Sequence, residues 1–447
     1  MNLTASLCEL LACPLSGRPL QLVDGQLQVD DATQRYPVIN DIPWVLPNAE
    51  HSLLDWGAKL NHFNQVLLSE VKALEAECKK AQGATLDRLE RLLAAKKRFV
   101  RCVSELLRPV VSARVTRKPV YDALRDRAPS TQNLLSYEAN LYRDWVWGEQ
   151  ENALTQDLVL AHLLQQSLGN MLVLGAGAGR LALDLHCELK PDITVATDIN
   201  PLLMMCFKHL LDGKQLRIDE FPLQPRASEF VAVEHLIEGL QWPQGLHLLF
   251  SDATKPAFKP EAFNTVITPW LVDIQPLAFG RFVQQLNQYL PLGGQWINFG
   301  SLVFNQKRDL HCYGIEEVKQ LAEAQGFNIL ELKTHEIPYL KSPYNAGYRM
   351  EHVWTWRAQK VAAVKPLHNP QTMPGWILDI QQAVPKNQYF RNFTITHRVY
   401  AQLTGEVDGK TSIAKIAKKV AKQNNMDVRE SEVLVKNFFS DLVSQSD

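Results

Sequence analysis

Asp198, Asp252 and Asp273 each stand at the end of an apolar run, and a glycine turn precedes the first of them. The stretch Met171 to Arg180 reads Met-Leu-Val-Leu-Gly-Ala-Gly-Ala-Gly-Arg: a short buried strand, then a turn that opens a helix. Such a turn lets bare backbone approach a cofactor. Asp198 closes the second apolar run and is placed to take two ribose hydroxyls. Strand, glycine turn, helix and a strand-tip acid make one nucleotide-binding βαβ unit. Ser251-Asp252-Ala253 ends the third run, where an acid commonly receives an adenine amino group. Pro269-Trp270-Leu271-Val272-Asp273 ends the fourth, the usual place of a substrate.

These groups need a sheet to hold them. Apolar runs at Thr194 to Thr197, Leu246 to Ser251, Phe263 to Ile267, Gln295 to Phe299, Asn328 to Leu332 and Arg349 to Arg357 alternate with helical patterns, which predicts an α/β fold with a doubly wound, mostly parallel sheet. Two ligands compete for the turn. A dinucleotide fold wants Gly-x-Gly-x-x-Gly, to seat a pyrophosphate on the helix N-terminus. Here the spacing is Gly175-x-Gly177-x-Gly179, the tighter form usual in enzymes that bind S-adenosylmethionine (SAM), which brings no phosphate. Leu290-Pro291-Leu292-Gly293-Gly294 also stands where such enzymes write Leu-x-Pro-Gly-Gly before the fifth strand. The polar, proline-marked insertion between Lys208 and Gly245 is expected to form a lid over the sheet edge.

Composition narrows the partners. The 447 residues are 46% hydrophobic, enough for two or three packed domains. Lys plus Arg (47) balance Asp plus Glu (48), so no global field recruits nucleic acid or a membrane. The cysteines are scattered and never spaced as CxxC, which predicts neither a disulfide framework nor a metal site, and a reducing, cytoplasmic setting. No window carries the roughly 18 apolar residues of a membrane span. Lys96, Lys97, Arg98 and Arg101 form a basic run, read as one face of an amphipathic helix because acids interleave.

Residues 141–357 resemble the carnosine N-methyltransferase family. The resemblance is carried by Gly-Ala-Gly-Ala-Gly-Arg-Leu, Asp198-Ile199-Asn200-Pro201, Val272-Asp273, Arg143-Asp144-Trp145 and above all Trp296-Ile297-Asn298-Phe299-Gly300. It implies a seven-stranded class I methyltransferase (Rossmann-like) sheet binding SAM. Asn140, Arg143, Gly175, Gly177, Gly179, Asp198, Asp252, Ala253 and Pro269 would then line the cofactor site. The family's acceptor pocket surrounds an imidazole with an Asp, a His and a Tyr, and the counterparts here are Asp273, Asn305 and Tyr348. An Asp beside an imidazole accepts one ring N–H, so that the other nitrogen presents its lone pair. Asn305 in place of a His removes a second ring partner.

Two small modules flank this core. Residues 1–50 resemble the zinc-ribbon-like activator of RNA- and protein-modifying methyltransferases. Its Tyr36-Pro37-Val38 and Ile42-Pro43 ending is present, but only Cys13 stands at a ligand position, which predicts metal-free packing. Residues 51–160 read as helical and 161–360 as the catalytic domain. Residues 376–447, with Leu403 and Ile413 to Ala417, resemble a winged-helix-like peptide chaperone and point to a peptide or protein partner. The expected activity is SAM-dependent methyl transfer to an imidazole or amine nitrogen of a small molecule or peptide. The alternatives are a catalytically idle scaffold for protein partners and an RNA methyltransferase, though the Asn-Pro-Pro-Tyr acceptor motif of the latter is missing.

Overall fold

A computed structural model describes residues 5–32, 34–47, 49–113, 134–163, 168–255, 257–304, 309–366, 402–403, 405–406, 408, 411–432 and 435. The chain forms two compact units, Met1–His368 and Asn369–Asp447. The first unit opens with helix α1 (Ala5–Leu10) and strands β1 (Gln21–Val23), β2 (Gln26–Gln28), β3 (Arg35–Ile39) and β4 (Ile42–Val45). Two long helices follow, α2 (Ala49–Cys78) and α3 (Gly83–Ser112). A short helix α4 (Glu138–Tyr142) runs through a π-helical turn, Arg143–Trp147, into α5 (Glu149–Leu160). The catalytic region is β5 (Asn170–Leu174), α6 (Arg180–Leu189), β6 (Ile193–Asp198), α7 (Pro201–Leu211), β7 (Leu216–Glu220), β8 (Val233–Ile237), β9 (Leu246–Ser251), β10 (Thr265–Pro269), α8 (Phe279–Tyr289), β11 (Gln295–Gly300), α9 (Ile315–Ala324), β12 (Phe327–Tyr339) and β13 (Arg349–Lys360).

Strands β9-β6-β5-β10-β11-β13-β12 are neighbours in that order. These are the seven expected strands, parallel except that β13 runs antiparallel to both β11 and β12. Every residue of β9, β10 and β11 is buried, as continuous apolar strands are when helices cover both faces of a parallel sheet. Trp296 sits at the centre of one face, its ring 5.3 Å from Trp356 and 5.4 Å from Phe327. The sequence reading ended the sheet at seven strands. It continues into β4, which pairs in parallel with β9 (Trp44 opposite Phe250), and then into β3, β2 and β1, giving eleven. A pairing between residues so distant in sequence leaves no local signature.

The insertion between Lys208 and Gly245 is not a lid. It folds as a separate antiparallel pair, β7 with β8, and none of its residues reaches the large cavity described below. It is held from below: Arg98 donates to the Asp219 carboxylate, and Phe99 meets Phe221 edge-on at 5.2 Å. Polar side chains on this hairpin find partners inside the protein, which is why it packs inward. The basic run on α3 is spent in the same way, with Lys96 on Glu70 (2.8 Å) and Lys97 on Glu75 (2.6 Å). No helix of the described residues is long and apolar enough to cross a membrane.

In the second unit α10 (Ile413–Asn424) buries Ile416, Ala417 and Val420 with Leu403 and Val435, while Lys415, Lys418, Lys419 and Lys422 face solvent. Residues 376–401 and Lys410, on which the winged-helix-like reading also draws, lie outside the described residues.

Candidate active site

The glycine turn between β5 and α6 has left-handed φ at Gly175, Gly177 and Gly179. Asp198, at the tip of β6, straddles it: the Gly177 N–H donates to Oδ2 and the Asn200 N–H to Oδ1, each at 2.8 Å. Burial pushes this carboxyl up, while those backbone donors pull it down. The glycines do different work. A Cβ on Gly177 would meet nothing within 4 Å, so the turn faces open space there; one on Gly179 would strike the Phe207 ring at 2.1 Å. Gly179 accordingly packs α6 onto α7 and, unlike the sequence expectation, does not line the cavity.

Above the turn lies the π-helical segment. Its wider coil lets Arg143 and Asp144 both reach the cavity, and Asn152 closes it by donating to both their carbonyls at 3.2 Å. Arg143 donates to Asp144 through Nε (2.8 Å) and Nη2 (2.6 Å), and Trp145 donates to the Ala178 carbonyl at 2.9 Å, tying helix to turn. Asn140 lines the same wall.

Beneath it, Glu138 approaches the Tyr142 hydroxyl at 2.8 Å, and that hydroxyl is 2.7 Å from the Asp219 carbonyl. A carbonyl can only accept, so the single Tyr142 proton goes there and the other contact requires a proton on Glu138. Consistently, burial pushes the Glu138 carboxyl up to about 7. A pKa raised on folding gives stability that is complete below the unfolded value and is lost as pH rises through about 7. Between pH 5 and pH 8 the loss is on the order of 2 kcal/mol, allowing for solvent contact of the half-buried side chain. Thermal unfolding of Glu138→Gln, which cannot ionise, is expected to lose this slope; an unchanged slope refutes the assignment.

The third wall is the loop after β9. Asp252 Oδ1 accepts from the Thr254 N–H (2.8 Å) and hydroxyl (2.6 Å), and Gln285 donates to the Ala253 carbonyl at 2.7 Å. The N-terminal module anchors the far end, through Ala12 N–H to the Ala257 carbonyl at 2.9 Å and Lys259 N–H to the Leu10 carbonyl at 2.9 Å.

Beside the glycine turn, β10, which pairs in parallel with β5, ends in Pro269 and Trp270. Trp270 adopts φ +49° and donates its N–H to the Phe299 carbonyl at 2.7 Å; a Cβ on Gly300 would come within 2.9 Å of its Cα, which leaves room only for glycine. The bend delivers Asp273 to the cavity floor, 2% exposed. Its Oδ2 accepts from the Ser301 hydroxyl (2.6 Å) and the Val303 N–H (2.9 Å), while Oδ1 is buried with no hydrogen-bond partner among the described residues. Burial pushes this carboxyl up, against those two donors.

One cavity of about 950 Å³ joins these walls. Asn140, Arg143, Gly175, Gly177, Asp198, Asp252, Ala253, Pro269 and Asp273 all line it. Tyr348 does not: it is half exposed, with Lys341 Nζ 4.9 Å from its ring centre, whereas Glu351 and the largely exposed Arg349 border the cavity. Asn305 lies outside the described residues. Tyr137, Trp270, Tyr339, Arg349 and Glu351 line the cavity without having been singled out in the sequence. Period-two alternation pairs Arg349 with Glu351 on one face, but the register that selects that face is not local.

A model of the carnosine N-methyltransferase family matches residues 128–366. The chain belongs to this family. It is thus a SAM-dependent methyltransferase. Among solved structures the family member is similar to a SAM-dependent methyltransferase from Methanosarcina mazei, with 13% identity over 46% of this chain and 97% of that one and a TM-score of 0.31. It is also similar to phosphoethanolamine N-methyltransferase 2 of Haemonchus contortus, solved with phosphomonomethylethanolamine and S-adenosylhomocysteine: 11% identity, 53% and 62% coverage, TM-score 0.34. No curated protein matches the chain. The residues present fit SAM: the open space at Gly177 admits a ligand against bare backbone, and two strand-tip acids flank it.

Proposed function

We propose that the chain methylates a ring nitrogen of an imidazole-bearing small molecule or peptide. The unpartnered Oδ1 of Asp273 carries this reading. A buried carboxylate oxygen without a donor costs free energy until a ligand supplies one, and an imidazole N–H does so. With that proton held at Asp273, the lone pair of the other ring nitrogen is free to attack.

In this scheme Asp198, Gly177, Asp252 and Arg143 bind the cofactor, and bound SAM supplies an electrophilic methyl group on a sulfonium. Asp273 would orient the ring so that its free nitrogen faces the methyl group that bound SAM would supply, and such alignment would provide much of the acceleration. The ring gains positive charge as it accepts the methyl group. The Asp273 carboxylate, already oriented by Ser301 and Val303, stabilises that charge and then holds or takes the ring N–H proton. Trp270 and Tyr339, 4.8 Å apart between ring centres, supply apolar wall that keeps water off the attacking nitrogen.

Methyl-labelled SAM with histidine-containing dipeptides, histidine derivatives and simple amines tests the proposal. Label on an imidazole nitrogen, located by NMR, is the expected result. Label confined to amines, or none in any histidine compound, refutes it.

A further inference from the structure

We infer that Asn152 is a positioning residue for the cofactor: it holds the turn Arg143–Trp147 in its π-helical register and so aims the Arg143 guanidinium into the cavity. The inference rests on the reading above that Arg143 binds SAM. Asn152 stands in the first turn of α5 and is buried. Its backbone N–H is spent on the Gly148 carbonyl at 2.8 Å. The side-chain amide is left for another task. Nδ2 carries two hydrogens and meets two successive carbonyls, those of Arg143 and Asp144.

A π-helical turn within a helix is a local departure from the commoner α-helical ladder, and contacts outside that ladder hold it. Here the Gly148 N–H reaches the Arg143 carbonyl at 2.9 Å, the i to i+5 bond of such a turn. A Cβ on Gly148 would stand 2.2 Å from that same oxygen, so an alanine there forces the turn to shift. Arg180 of α6 adds a donor to the Asp144 carbonyl at 3.1 Å, and is itself fixed by both oxygens of Asp184, at 2.9 and 2.7 Å. Three donors thus secure the carbonyls of the two residues whose side chains border the cavity. Reversion to an α-helix would slip the turn by one residue, rotating Arg143 by about 100° relative to α5. None of the three donors touches the Arg143 guanidinium. Their effect on the cofactor passes through the backbone.

Titration calorimetry of S-adenosylhomocysteine tests this on the full chain, with Asn152→Asp, Arg143→Ala and the double variant beside the wild type. Asn152→Asp keeps the shape of the side chain and removes both donors. It is expected to weaken binding about tenfold when Arg143 is present, and by no more than about twofold in Arg143→Ala. Gly148→Ala disturbs the same register without touching the Asn152 side chain and is expected to show the same dependence on Arg143. Thermal unfolding without ligand checks that each variant is folded. Asn152 also borders the cavity, so a direct contact with the cofactor or a general brace is the rival account. Either would give equal losses with and without Arg143, and that result overturns the inference. Binding by Asn152→Asp within about twofold of wild type overturns it too, even where Arg143→Ala is impaired. Undiminished binding by Arg143→Ala would instead defeat the reading of Arg143 as a cofactor residue, and the inference with it.

Discussion

Asp273→Ala is expected to lower the rate of methyl transfer by about 10²- to 10³-fold while leaving SAM affinity within about twofold. The separation follows from position. Asp273 lies beyond the bend at Trp270 and is held by Ser301 and Val303, while Asp198 is held by Gly177 and Asn200, so its loss leaves those cofactor-side contacts in place. In the proposed scheme the substitution removes the acceptor that fixes the ring tautomer and the charge that faces the developing cation. Asp273→Asn, which keeps the shape and not the charge, is expected to fall between the two. It carries a second readout, because burial holds the wild-type carboxyl above the ordinary carboxylate range. Turnover therefore declines on acidification earlier than for an exposed aspartate, as protonation takes away the N–H acceptor. Asp273→Asn should lack this acid limb. A kcat profile that keeps it unchanged would show that another group is titrating.

Asp198→Ala is expected to weaken SAM binding by about 100-fold and to destabilise the fold by about 1–3 kcal/mol. Both effects have one origin. The carboxylate accepts the Gly177 and Asn200 N–H groups at once, and its remaining lone pairs are the ones we propose accept from the ribose hydroxyls. Alanine leaves two backbone donors unsatisfied and lets the turn relax from the shape that admits the ligand. Calorimetry and thermal unfolding separate the two losses. Affinity retained within about threefold, together with a clear loss of stability, would reduce Asp198 to a structural brace.

What could be read in the sequence was what the chain writes locally. The strand, glycine turn and strand-tip acid at Asp198 sit within one βαβ unit, and their types and spacing are enough to place them together. Asp252 and Asp273 were legible for the same reason, each ending an apolar run. The far wall was not. Whether Tyr348 or Arg349 faces the cavity depends on the register of the β12–β13 pair, and a slip of one residue exchanges one set for the other. The shared face of Arg349 and Glu351 was visible as alternation, but nothing nearby says which face is inside. Gly179 shows the opposite case, a glycine of the motif whose constraint is the Phe207 ring packed against it and not a ligand. The reach of the sheet into the first fifty residues was hidden because its decisive pairing, Trp44 with Phe250, joins distant parts of the chain.

That pairing also decides how the sheet meets its surroundings. A catalytic sheet ending at β9 would present a row of unpaired N–H and C=O groups, the template on which a second chain can add a strand. Here β4 takes up the end of that row, opposite Phe250 and Ser251, and the outermost strand becomes β1, three residues long and exposed throughout. The opposite margin, β12, is long but carries exposed Lys333 and Glu336, and Pro338 breaks its run of donors. Neither outermost strand, β1 or β12, offers a long uncharged stretch of backbone on which a copy of the chain could add a strand.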